Sequence, residues 1–360
     1  MFKSVARTFF LVAVAAAVGA QPAATLADQR DVAAPRTVQD IPANDEAGDA
    51  DSKDANAFRT NVANLFNQEK FDQLDEIANE VRSQKSRFPG GAWKSHVFYS
   101  VLREPGSLTA TDQTWNVHFE RLQRWIERNP DSITPDVALA ASYLRFAWKA
   151  RGKGYANTVT ADGWRLFAER VQKARDVLEQ AQSLATRDPE WYRTMQTVSL
   201  AQGWHQKQAE ELFAEANSVE PGYYYFDEAF ANYLLPKWYG KPGDSEEFAQ
   251  SIAERIGGAE GDSVYFRIAL SLNCCKAQPQ VPSISWERVK QGFASSKQLY
   301  GSTNYQRNAV AFMALRQGDR EYAQQLFARI GDNWNERVWR SKDNFDRSKS
   351  SLTLKLKGQD

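Results

Sequence analysis

Three histidines, one adjacent pair of cysteines and two loops rich in cations and aromatic rings are the parts of this chain whose chemistry could exceed packing. His96, His118 and His205 lie far apart and show no HExxH or comparable ligand spacing, so no metal site is predicted from them. There is no GxSxG elbow, no phosphate-cradling glycine loop and no dinucleotide fingerprint. Acidic residues are spread along the chain, and no carboxylate pair at the spacing of acid–base catalysis stands out. The sequence therefore names no catalytic residue and no cofactor.

The first loop runs over 148–160 and contains Trp148, Lys149, Arg151, Lys153 and Tyr155; the second runs over 236–244 and contains Lys237, Trp238, Tyr239 and Lys241. Fixed cations beside stacking rings suit an anionic or sugar-like ligand. The candidate binding residues are Trp148, Arg151, Tyr155, Lys237, Trp238 and Tyr239. The plainer reading is that rings and guanidinium pin the loops onto the scaffold. Tyr223, Tyr224 and Tyr225 form a further aromatic run open to the same two readings. Cys274-Cys275 ends an apolar helical stretch, and neighbouring helical side chains diverge, which favours two small buried thiols. A vicinal disulfide, an intermolecular bridge and a soft-metal pair are the alternatives.

Positioning these residues falls to helices. From about residue 55 onward the apolar residues recur at helical spacing. Phe58, Val62, Leu65 and Phe66 make one stripe, and Phe119, Leu122, Trp125 and Ile126 make another. Each stripe covers one side of its helix and demands a neighbour. About a dozen helices are predicted between 56 and 330, joined by short connections that favour antiparallel pairing. Thr134-Pro135-Asp136 and Asp188-Pro189-Glu190 read as helix starts, with a capping side chain, a proline in the first turn and an acid near the positive helix end. Asp244 with Glu247 resembles a capping box, and Gly203, Gly318 and Gly331 mark helix ends. The fold class is all-α, with antiparallel helix pairs stacked as a tetratricopeptide-like solenoid over 56–340.

The ends differ from this body. Lys3 and Arg7 precede an apolar run from Phe9 to Val18, and small residues follow at Val18-Gly19-Ala20. That pattern predicts a secretory signal peptide over 1–20, cleaved near Ala20, and a periplasmic or secreted protein. No other stretch is long and apolar enough to span a membrane. Residues 21–55 lack aromatics, and their acids outnumber Arg30, Arg36 and Lys53, so a disordered acidic leader is predicted. The basic tail over 341–360 carries alternating Leu352, Leu354 and Leu356, a strand period; a frayed, solvated end is the expected state. Lysine plus arginine equals aspartate plus glutamate at 45 each, which gives no basic footprint for nucleic acid.

Two segments, Asp188–Tyr192 and Glu220–Tyr224, each end one amphipathic helix and open another, close to the helix–turn–helix period of tetratricopeptide repeats. With Ala147–Tyr155, PGYYYF at 221–226, LLPKWYGKPGD at 234–244 and VYFRIA at 264–269, the chain resembles exported bacterial proteins that carry a tetratricopeptide-like domain of unknown function. The resemblance covers roughly 58–340 and implies a fold, with no reaction attached. The functional expectation is an exported scaffold for an unidentified protein or peptide. The alternative is a glycan- or anion-binding protein or enzyme using the two loops.

Overall fold

The computed structural model describes residues 52–106, 110–152, 154–275, 281 and 283–354. The predicted signal segment, the acidic leader up to Asp51, Lys153 and Leu356 lie outside these residues. The described chain holds sixteen helices, and its only β-pairing is an isolated bridge between Arg87 and Trp93. The first five are α1 (Lys53–Asn67), α2 (Phe71–Gln84), α3 (Lys94–Leu102), α4 (Asp112–Arg128) and α5 (Thr134–Arg151). Then come α6 (Ala161–Ala181), α7 (Pro189–Gln202), α8 (Gln206–Val219), α9 (Tyr225–Tyr233) and α10 (Asp244–Ile256). The last six are α11 (Gly258–Asn273), α12 (Trp286–Tyr300), α13 (Asn304–Arg316), α14 (Arg320–Ile330), α15 (Glu336–Trp339) and α16 (Lys342–Leu354). Sequence neighbours pack together: α5 on α6, α7 on α8, α10 on α11, α11 on α12, α13 on α14. This is the predicted array of helix pairs.

Capping chemistry sets many of the starts. Ser52, Thr111, Thr160, Asp188, Ser285 and Asp319 each accept a hydrogen bond from a backbone N–H in the first turn. Thr303 and Gln306 close a reciprocal box at α13. These side chains satisfy donors that the helix itself cannot pair. Two predicted starts shift. Thr134 is already helical, with Ile133 before it, and its hydroxyl accepts from Arg82 at 3.2 Å instead of capping. Gly243 precedes α10, and the Asp244 carboxylate accepts from the Lys241 N–H at 2.7 Å, so no capping box forms there.

The helices differ in how far they sink into the core. In α6, α8, α10, α12 and α14 a single stripe is buried, as the sequence pattern requires. Helices α5, α7, α11 and α13 are buried over most of their circumference, a departure from the one-sided expectation. Each of these packs against several elements, so only a small part of its surface is left for water. The tail also departs from expectation. Residues 342–354 form α16, whose Phe345 and Leu352 enter the core seven positions apart, one helical face. The strand-like alternation is too brief to compete with that anchoring. One apolar cluster runs from Val62 to Leu352.

Candidate functional site

The two loops predicted to bind a ligand do meet. Trp148, at the end of α5, is buried and turns its ring edge-on to Trp238, with centroids 6.0 Å apart. Arg151 lies over Trp148 and over Trp164, 5.6 and 5.4 Å from the ring centres, and donates to the Gly154 carbonyl at 3.2 Å. Lys237 sits 5.8 Å from the Trp238 ring. Tyr239 donates its hydroxyl to the Leu200 carbonyl at 2.9 Å, and its ring contacts Tyr233. Tyr155 opens the short 3-10 turn that follows, Ala156–Thr158. The Trp148 and Trp238 indole N–H groups and the Tyr155 hydroxyl are buried without a hydrogen-bond partner. Lys149 is diverted to the Ala110 carbonyl, at 2.9 Å. Trp148, Trp238 and Tyr239 are thus spent on neighbouring elements, and among the described residues no carboxylate joins Arg151, Trp238 and Tyr239 to make an acid–base set.

A second cluster is deeply buried and was not legible as a site. Asp188, which caps α7 through the Glu190 N–H, also receives Arg82 Nη2 at 2.6 Å and the Tyr99 hydroxyl at 2.6 Å. Two residues on, Glu190 Oε1 is shared by His96 Nδ1 and the Tyr223 hydroxyl. His96 stacks on Tyr225 at 3.6 Å. Burial, reinforced by the Asp188 charge, pushes the Tyr99 phenol up, and the same cause beside Glu190 pushes Tyr223 up. Both phenols therefore stay protonated and act as donors. This network ties α2, α3 and α7 to the 223–225 run; its acids are consumed by partners inside the core. The signal in the sequence was the pair of motifs at 188–192 and 221–226, which mark helix starts and also supply the buried acids and phenols. His118 is separate, its Nε2–H donating to the Leu102 carbonyl at 2.8 Å, and His205 stands before α8. The three histidines do not converge.

The third place is an open groove of about 550 Å³ at the C-terminal helices. Phe312 and Leu315 of α13 and Val338 and Trp339 of α15 form its apolar floor, and Arg316, Arg340 and Arg347 edge it. Trp339 is held by its N–H to Asn308 Oδ1 at 2.8 Å and by rings of Phe312, Phe327 and Phe345. Cys275 forms part of the wall. Here the expected pair of free thiols is corrected: Cys274 and Cys275 are disulfide-bonded to each other. The helical objection does not apply, because α11 ends at Asn273, Cys274 is extended and Cys275 is left-handed at φ 64°. Arg340 on the groove edge is also left-handed, at φ 67°. Among the described residues, two of the four non-glycine residues with positive φ thus lie at one groove, the kind of place where such backbone strain collects.

A family described as a domain of unknown function (DUF4034) matches residues 58–214. That stretch contains Arg82, His96, Asp188 and Glu190 and ends before the groove. No curated protein sequence matches the chain. Among solved structures, the crystal structure of yeast Tom70 aligns at 12% identity with a TM-score of 0.33. The alignment covers 72% of this chain and 64% of that one, so this chain spans just under two thirds of its length.

Proposed function

We propose that the protein is an exported helical scaffold that takes a protein or peptide segment in the groove formed by α13, α15 and α16. The observation that carries this reading is the groove itself: an apolar, aromatic-floored opening of about 550 Å³ at the C-terminal helices. That volume falls within the range of ligand sites, and its anchoring rings are locked by their neighbours. The vicinal disulfide supports export, since disulfides persist in oxidising compartments. A second reading places ligand recognition at the 148–160 and 236–244 loops. It is favoured by the contact of Trp148 with Trp238 and by the three unpartnered polar atoms there.

One experiment separates the two. Immobilised full-length protein is exposed to cell-envelope extract as wild type, as Ser348→Trp, which fills the groove without removing a buried side chain, and as Trp238→Ala. Loss of a captured partner with Ser348→Trp alone supports the groove. Loss with Trp238→Ala alone moves recognition to the loops. Equal recovery by all three sinks both sites.

A further inference from the structure

Arg151 closes α5, and the chain returns as α6 after a short loop. At that hairpin tip its guanidinium is held from several sides. It lies 5.6 Å from the ring centre of Trp148 and 5.4 Å from that of Trp164. Its Nη1 donates to the Gly154 carbonyl at 3.2 Å and to the Gly152 carbonyl at 3.4 Å. Trp148 is itself fixed, packed edge-on against Phe167 and Trp238. Arg151 Nε and Nη2 make no hydrogen bond, and neither is among the polar atoms sealed from water. One planar edge of the fork is thus open to solvent. Among the described residues no carboxylate pairs with it. Asp112 is taken by Lys149 at 3.2 Å and Asp162 by Arg165 at 3.4 Å. The one position of this loop outside the described residues is Lys153, a base, which cannot neutralise a guanidinium. Arg82 and Arg145, partly buried like Arg151, sit on Asp188 and Glu104 instead.

An open Nε–Nη2 edge presents two parallel N–H groups, the geometry that grips one oxyanion with two hydrogen bonds. Ordering the side chain costs little on binding, because rings and carbonyls hold it beforehand. Beside it Trp164 is 38% exposed, an indole surface available to the apolar C–H face of a sugar ring. We infer that the tip of the α5–α6 hairpin binds an acidic sugar, with its carboxylate or phosphate on the Nε–Nη2 edge of Arg151 and its ring against Trp164. This rests on the loop reading and not on the groove, and it narrows the loop reading to one ligand class. The oxyanion supplies the acceptors that Arg151 lacks, and the ring supplies apolar contact that a bare ion cannot make.

The test is isothermal titration calorimetry of the full chain with four probes: glucuronate, a phosphate monoester of glucose, glucose itself and inorganic phosphate. At least one of the two acidic sugars is expected to bind saturably, and the tighter of them identifies the oxyanion. Glucose is expected to bind about tenfold more weakly or worse, the loss expected when a hydrogen bond to a charged group is missing. Inorganic phosphate, with no ring for Trp164, is expected to bind more weakly than the ester. Arg151→Gln and Arg151→Lys, each with an unchanged thermal transition, are expected to reduce the preference for the acidic sugar; the lysine keeps the charge and loses the fork. No saturable binding of either acidic sugar, equal affinity for glucose, or an unaltered preference in both variants overturns the assignment. The wild-type comparisons decide even where a variant fails to fold. If Trp164→Ala weakens glucose and glucuronate alike while Arg151→Gln does nothing, the oxyanion assignment fails and sugar binding at the loops stands. If no probe binds while Trp238→Ala still loses the partner captured from extract, the acidic sugar is excluded and the loop reading survives it.

Discussion

Asp227 is a carboxyl sealed into the protein, 2% exposed, with Oδ1 lacking a hydrogen-bond partner. Burial pushes it up to about 7, only partly opposed by Arg255. The native state therefore holds a proton between about pH 4 and 7 that the unfolded chain has released, and stability falls as pH rises through that window. Taken across the whole shift, the effect is on the order of 4 kcal/mol. Burial holds His118 down near 4, which works in the opposite sense: the unfolded chain binds the extra proton below about 6.5, and stability falls on acidification. The two offset each other in mildly acidic solution, so the wild-type profile hides both. Asp227→Asn removes one of them. Its stability relative to wild type, from denaturant titrations at several pH values, is expected to improve from about pH 4 to 7 and to level off above that. A pH-independent difference would show that the carboxyl is not protonated in the native state. None of this was legible beforehand, because Asp227 reads as an ordinary first-turn acid. Asp188 was half legible: its capping role follows from Asp-Pro-Glu, whereas its bond to Arg82 spans 106 residues. The candidate loop residues were legible as rings and cations gathered in two loops; that Trp148 meets Trp238 across 90 residues was not.

Helices are legible when they show water one face, and less so when they do not. The stripe Phe119, Leu122, Trp125 marks α4 directly, because the opposite face of that helix remains exposed. Helices α5 and α13 carry apolar and small residues all round, so periodicity reveals a helix but not its place between neighbours. Small residues decide how closely such helices approach. A Cβ added at Gly292 of α12 would lie 2.3 Å from the Asp262 carbonyl oxygen and 2.7 Å from Phe266 Cβ on α11. A backbone oxygen cannot retreat without moving α11. Alanine gains roughly 1 kcal/mol in helix propensity over glycine, but the overpacking it forces costs about 1–3 kcal/mol. Gly292→Ala is therefore expected to lower the unfolding midpoint, while Gly106→Ala, with nothing within 4 Å, is the neutral control. Equal behaviour of the two variants would mean that α11 and α12 have slack at this contact. The tail shows the same limit from the other side: Leu352, Leu354 and Leu356 suggested a strand, and Phe345 set the helix instead by reaching the core.

A helical array held only by neighbouring pairs would behave as a nearly one-dimensional chain of units. This one is tied across its length at a single tight loop. The Gly90 carbonyl accepts from Arg267 Nη2 at 2.5 Å and from Gln306 Nε2 at 3.0 Å, partners 177 and 216 residues away. The Gly90 N–H donates to the Tyr300 carbonyl at 2.8 Å. Arg87 lies over the rings of both Trp93 and Tyr300, 4.5 and 4.7 Å from their centres. Nothing in the spacing of apolar residues points to such contacts, since they join loop backbone to side chains from a distant third of the sequence. Gly91 has φ 86°, and a Cβ there would stand 2.2 Å from Arg267 Nη2 and 2.9 Å from the Tyr300 ring. Alanine at this position is disfavoured by the backbone and by the clash together. Because Arg267 is 1% exposed, its guanidinium has no open space to move into. Gly91→Ala is thus expected to loosen two remote regions at once. In hydrogen exchange, amides of α3 and amides of α12 and α13 should lose protection by comparable factors, since opening the loop releases the ends of both. A nearest-neighbour stack predicts a different pattern, with faster exchange confined to the helices flanking residue 91. That pattern would show that the clasp adds local order without joining the N-terminal helices to the ones that build the groove.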